Sequence, residues 1–149
     1  MPPSSPILAL DLGAARTGLA RSDPDRTIAF GLPTFEVRPG RSLKEHLRAL
    51  HAEVPLGGVV LGWPRRPDGR PGDLAGRVER LAAWIRTELG LPVALQDESL
   101  TTVEAVEKLA EAPTRRRRDK GARDRLAAQI ILREFLAAGC PFPPATEDP

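Results

Sequence analysis

Of the 20 acidic residues in this 149-residue chain, most lie among polar neighbours. Three lie at apolar edges. Asp11 sits inside Leu10-Asp11-Leu12, at the end of the run Ile7-Leu8-Ala9-Leu10. Glu98 follows the apolar stretch Val93-Ala94-Leu95, and Asp124 is followed at i+3, i+4 and i+7 by Ala127, Ala128 and Ile131. On a helix that spacing turns Asp124 toward the core-facing side. A desolvated carboxylate is costly unless it is paired or bound to a cation. Three such groups brought together repel one another, and a divalent metal relieves the repulsion. An oxygen-only donor set suits Mg²⁺ or Mn²⁺ better than Zn²⁺. Each acid also has a simpler use. Asp11 can pair with Arg16, Glu98 can cap the helix after it, and Asp124 can complement a helix N-terminus.

Other chemistries find little support. The chain has no G-x-x-x-x-G-K-[ST] loop, no H-E-x-x-H, no C-x-x-C and no G-x-S-x-G elbow. His46 and His51 are five residues apart, the wrong spacing for an i, i+4 ligand pair, and read as solvated helix residues. Cys140 is the single cysteine, so no intramolecular disulfide is expected and a cytoplasmic location is the simplest reading. The N-terminal Met1-Pro2-Pro3-Ser4-Ser5-Pro6 does not read as a secretion signal. No apolar run approaches the roughly 20 residues of a membrane span.

The formal charge is only +2, yet it is concentrated. Arg115, Arg116, Arg117, Arg118, Lys120, Arg123, Arg125 and Arg133 fall within one short stretch that holds only Asp119 and Asp124 as acids. The rest of the chain is therefore net acidic. An arginine-rich segment on a mildly acidic body fits a polyanion, because the planar guanidinium matches phosphate. The alternative is a solvated charge run.

The elements that must position these groups follow from pattern. Ile7–Leu12 reads as a buried strand ended by Gly13, with further strands at Thr17–Ser22 and Pro33–Val37. Short connections between them favour an antiparallel meander. Ser42-Leu43-Lys44-Glu45 is a capping box opening a helix to about Glu53. A strand at Val59–Trp63, a helix from Asp73 to Leu89, and a strand at Pro92–Leu95 come next. Thr101-Thr102-Val103-Glu104 opens a helix to about Ala110, and a last helix runs from about Ala122 to Ala138. The order β-β-β-α-β-α-β-α-α predicts one α/β domain over residues 6–138. Its five-stranded mixed sheet would combine a three-strand antiparallel meander with two parallel strands, with helices on both faces. Residues 1–5 are expected to be flexible and the Pro-rich tail 139–149 loose.

Four motifs then carry a resemblance. Residues 7–23, Ile-Leu-Ala-Leu-Asp-Leu-Gly-Ala-Ala-Arg-Thr-Gly-Leu-Ala-Arg-Ser-Asp, resemble the opening motif of the bacterial YqgF (RuvX) family. Val59-Val60-Leu61-Gly62-Trp63-Pro64 followed by Asp68-Gly69 resembles its second motif, and Asp97-Glu98-Ser99-Leu100-Thr101-Thr102 its Asp-Glu-Arg-Leu-Thr-Thr signature. Asp124-Arg125-Leu126-Ala127-Ala128-Gln129-Ile130-Ile131-Leu132 resembles its final helix.

The resemblance implies an RNase H-like fold and a nuclease described either as a Holliday-junction resolvase or as a pre-16S rRNA nuclease. Its metal-binding, catalytic carboxylates match Asp11, Glu98 and Asp124. It implies substrate contact at Arg16, around Asp68 and around Thr101; Arg115, Arg116, Arg117, Arg118 and Lys120 add the basic segment. Two Mg²⁺ or Mn²⁺ ions, roughly 3.5–4 Å apart, would hydrolyse a phosphodiester and leave a 5′ phosphate. The partner would be structured RNA or branched DNA, bound by a monomer or weak homodimer away from membranes. Ser99 departs from the family arginine, and Trp63 from a smaller apolar residue. Two other readings compete: a catalytically silent nucleic-acid-binding module, and an ATP-binding protein like the actin-related ATPases, whose phosphate loop Asp11–Gly18 also resembles. Thr101 is most simply a helix N-cap.

Overall fold

The computed structural model describes residues 5–13, 15–64, 73–97 and 120–144. The elements are β1 (Ile7–Leu12), β2 (Arg16–Ser22), β3 (Ala29–Glu36), α1 (Leu43–Glu53), β4 (Gly58–Trp63), α2 (Asp73–Trp84), β5 (Val93–Asp97) and α3 (Lys120–Ala137). Helix α2 runs on through a wider π turn at Ile85–Leu89 and stops at Gly90, which is left-handed with φ 66°. The strand order is β3-β2-β1-β4-β5. β1–β2 and β2–β3 are antiparallel, while β1–β4 and β4–β5 are parallel. The mixed sheet expected from the sequence is therefore present.

Strand alternation sorts the core onto two faces. Leu8, Leu10 and Leu12 of β1 join Val59 and Leu61 of β4 and pack on Leu47 of α1 and Val78, Leu81 and Ile85 at α2. Ile7 and Ala9 face the other way with Ala20, Val60 and Ala94, against Ala128, Ile131, Leu132 and Phe135 of α3. Asp11 shares the parity of Ile7 and Ala9 and so belongs to the α3 face. The Ser42 hydroxyl accepts from the Glu45 amide at 3.1 Å, so the capping of α1 is as the sequence predicts.

Four details differ from the sequence reading. β3 begins at Ala29 rather than Pro33 and runs through Gly31 and Pro33. Its edge position explains this, since an edge strand tolerates a proline without an N–H. At Gly31 a Cβ would stand 3.2 Å from Gln129 Oε1 of α3, so the small residue serves the packing. Helix α3 starts at Lys120, which puts Asp124 one turn in rather than in the first turn. The tail is anchored at least to Phe142, whose ring meets Phe135 edge-on at 5.0 Å and covers Gly58. Finally, the histidines are not simply solvated. His46 stacks on Phe35 at 5.0 Å, and His51 Nδ1 accepts from the Leu56 amide at 3.0 Å. The helix expected at 101–110 lies outside the described residues.

Candidate active site

The site grows from a pair of glycines. In the β1–β2 register Asp11 stands opposite Gly18. A Cβ at Gly18 would run into the backbone carbonyl of Asp124 and lie 3.1 Å from its Cβ. The absent side chain thus lets α3 press its backbone onto β2 and brings Asp124 alongside the strand pair that carries Asp11. On the other side of β1, Gly62 does the same. A Cβ there would come 2.7 Å from Ile131 Cδ1 of α3 and 3.8 Å from Asp11 Oδ1. Asp11 and Asp124 consequently occupy one end of one sheet face, both half-buried.

Arg16 opens β2 directly after the β1–β2 turn, and its Nε donates to Asp124 Oδ2 at 3.0 Å. The side chains are 33% and 26% exposed, so this pair sits at the mouth of the site rather than in the core. Arg16 thus engages Asp124 across the fold. The turn itself is closed by the Gly13 amide donating to the Arg16 carbonyl at 2.8 Å. From the opposite face of the sheet, Arg77 Nη1 of α2 donates to the Gly13 carbonyl at 3.2 Å. The sequence reading missed Arg77; an arginine on a surface helix resembles any solubilising charge. It also gave no role to Gln96, which ties the end of β5 to α3. Its Nε2 donates to the Ile131 carbonyl at 3.1 Å and to Glu134 Oε2 at 3.0 Å. The only hint was its place just before Asp97-Glu98.

Two hard carboxylates sharing a face, brought there by glycines that let α3 sit close, are oxygen donors of the kind that suit a Mg²⁺-class ion. That Asp124 already takes a cationic partner fits the same demand for positive charge. Among the described residues no group of three His, Cys, Asp or Glu side chains forms a metal cluster. Glu98, Asp68, Thr101 and Arg115–Arg118 lie outside the described residues, as does the side chain of Lys120. The same holds for Ser99. Trp63 is described and packs, partly buried, against the leucine-rich core.

A meander of three strands, two parallel strands beyond it, and an acid on the first strand facing a final helix make up an RNase H-like fold. Solved structures of that fold are similar to this one. Thermus thermophilus RuvC in complex with a Holliday junction substrate matches with TM-score 0.52 at 16% identity, covering 91% of this chain and 97% of that one. The fowlpox virus resolvase in complex with Holliday junction DNA matches with TM-score 0.53 at 9% identity, covering 89% and 97%. The chain belongs to the RuvX (YqgF) family, whose model, described as Holliday junction resolvase, matches residues 5–138. Relatives from Dictyoglomus thermophilum, at 35% identity over 87% of this chain and 94% of that protein, and Geobacillus kaustophilus, at 39% over 87% and 95%, both carry the name "Putative pre-16S rRNA nuclease". Membership makes the chain a nuclease, a hydrolase of phosphodiester bonds.

Proposed function

We propose that this protein is a divalent-metal-dependent nuclease that trims the 5′ end of pre-16S rRNA in the cytoplasm, with Asp11, Glu98 and Asp124 as its catalytic carboxylates. The observation that carries the reading is the convergence of Asp11 and Asp124 on Gly18 from β1 and α3, elements more than a hundred residues apart. Glu98 follows β5 directly in the chain and completes the trio by its match to the family motif. Mg²⁺ or Mn²⁺ bound by these acids supplies Lewis acidity for water activation and neutralises charge at the phosphodiester.

The protein's own groups do the rest. Asp11 and Asp124 hold fixed negative charge at one end of the sheet, where rigid strand and helix backbones keep their spacing. Arg16 stands at the entrance, and with its guanidinium fork suits a phosphate of the strand to be cut. Arg77 steadies the β1–β2 turn between them by holding the Gly13 carbonyl. The segment holding Arg115, Arg116, Arg117, Arg118 and Lys120 adds sequence-independent grip on the backbone, which makes affinity fall as salt rises. Asp68 and Thr101 are assigned substrate contacts on family resemblance alone. RNA is favoured over junction DNA by the names of the relatives at 35–39% identity, since the junction-bound neighbours share 16% or less.

The test sets a labelled ribosomal leader RNA beside a labelled four-way DNA junction, with purified protein and Mn²⁺. Cleavage of the RNA in preference to the junction is expected, and Asp11→Asn should lower it at least about 100-fold while circular dichroism stays unchanged. Full activity in Asp11→Asn would end the assignment, and junction-only cleavage would replace the RNA by branched DNA.

A further inference from the structure

We infer that Arg16 is the resident counter-cation of Asp124, a latch that a divalent ion must displace and that a substrate phosphate opens. This rests on the metal-dependent reading above and concerns how the site loads. The Arg16 Nε donates to Asp124 Oδ2 at 3.0 Å, so one of the two oxygens that the carboxylate offers is already taken by a cation. A guanidinium and a divalent ion cannot both draw on that oxygen without strong repulsion between them. The pair is only partly buried, 33% and 26% exposed, which lets the long arginine side chain leave by rotamer change. Arg16 is the first residue of β2, next to the turn, so its departure disturbs no strand pairing beyond its own. Asp124 is fixed, because its backbone is pressed onto Gly18. The movable partner is therefore the arginine.

A phosphodiester offers the guanidinium two oxygens in place of one. Substrate thus draws Arg16 away and frees Asp124, and by linkage the metal and the nucleic acid tighten each other's binding. In the empty site Arg16 offsets one of the negative charges, and its loss should strengthen metal binding. A role confined to holding the structure together predicts the reverse.

The experiment is a calorimetric titration of the full-length protein with Mn²⁺, without nucleic acid, for wild type, Arg16→Gln and Arg16→Lys. Arg16→Gln should bind Mn²⁺ about five- to tenfold more tightly at unchanged stoichiometry, while Arg16→Lys, which keeps the competing charge, should stay near wild type. Arg16→Met gives the same test should the glutamine variant fail to fold, thermal melts deciding that. Equal or weaker Mn²⁺ binding in the folded neutral variant overturns the latch and leaves the metal site standing. No Mn²⁺ binding in any of the proteins overturns the metal-dependent reading itself.

Discussion

The two faces of the sheet are made of different material. On the α1–α2 side the strands present Leu8, Leu10, Leu12, Val59 and Leu61, large groups that fill the space beneath two helices. On the α3 side Ile7 and Val60 are joined by the smaller Ala9, Ala20 and Ala94, and only Gly18 and Gly62 flank Asp11 at the end where it lies. Large side chains hold a helix away from a sheet; alanine and glycine let it settle close. Close approach is what delivers Asp124 to β2, the strand paired with the one that carries Asp11. The leucine face supplies burial, and the small-residue face supplies position.

The largest stability effect should come from the leucine face. Leu61→Ala removes a fully buried side chain and leaves a cavity, an expected loss of about 2–5 kcal/mol by thermal denaturation. Below its melting temperature the variant should cleave at near wild-type rate. A loss of turnover matching that of a site variant would break the division between faces.

Gly18→Ala is the complementary change. A methyl group there meets the Asp124 backbone, and relieving the clash means lifting α3 or bending β2. Overpacking of this kind costs about 1–3 kcal/mol, less than the leucine cavity. Its effect on chemistry should be greater, since displacing a catalytic group by an ångström costs about 100-fold. Mn²⁺ calorimetry should show the affinity falling as well. An active Gly18→Ala enzyme would mean that the close seating of α3 is not what places Asp124.

Phe142→Ala tests whether the small-residue face needs its outer cover. The ring packs on Phe135 and over Gly58, at the far end of β4 from Gly62. Truncating this half-buried side chain should lower stability by about 1–3 kcal/mol, again read by thermal denaturation, without altering Mn²⁺ affinity.

Much of this division was written in the chain. The apolar run 7–12 with its single acid, the Ser42 cap and the spacing of Asp124 to Ala128 and Ile131 all depend on local patterns, which one sequence displays. What it hides is contact between distant segments. In the sequence Asp11, five residues away, is the near partner for Arg16, whereas the Arg16 nitrogen reaches Asp124 across 108 residues. The Arg77 bond to Gly13 spans 64 and leaves no mark in composition. Gly31 and Pro33 look like turn formers and hide the start of β3, and only the sheet's edge makes them acceptable in a strand. The tail looked loose because its prolines hide one anchoring aromatic. Glu98 is assigned by its place after β5 and its match to the family motif, and it lies outside the described residues.

The smallest effect concerns an acid whose role is local. Asp23, at the end of β2 remote from Arg16, accepts from the Thr27 amide at 2.7 Å, the Thr27 hydroxyl at 2.8 Å and the Ile28 amide at 2.8 Å. These bonds, led by the one from Ile28 and then the Thr27 hydroxyl, hold its pKa below the ordinary 3.8. A depressed folded-state pKa means the unfolded chain takes up the proton first as pH falls. The stabilisation is therefore complete above 3.8 and disappears as pH drops through the lower folded value. Asp23→Asn should melt slightly below wild type at neutral pH, and the gap should narrow in acid through that window. Mn²⁺ affinity should not change, because every partner of this carboxylate lies within five residues of it. Asp124, by contrast, is bonded across the fold to Arg16. A pH-independent gap for Asp23→Asn, or a shift in its metal affinity, would erase the distinction between an acid that ties a turn and one held ready for a cation.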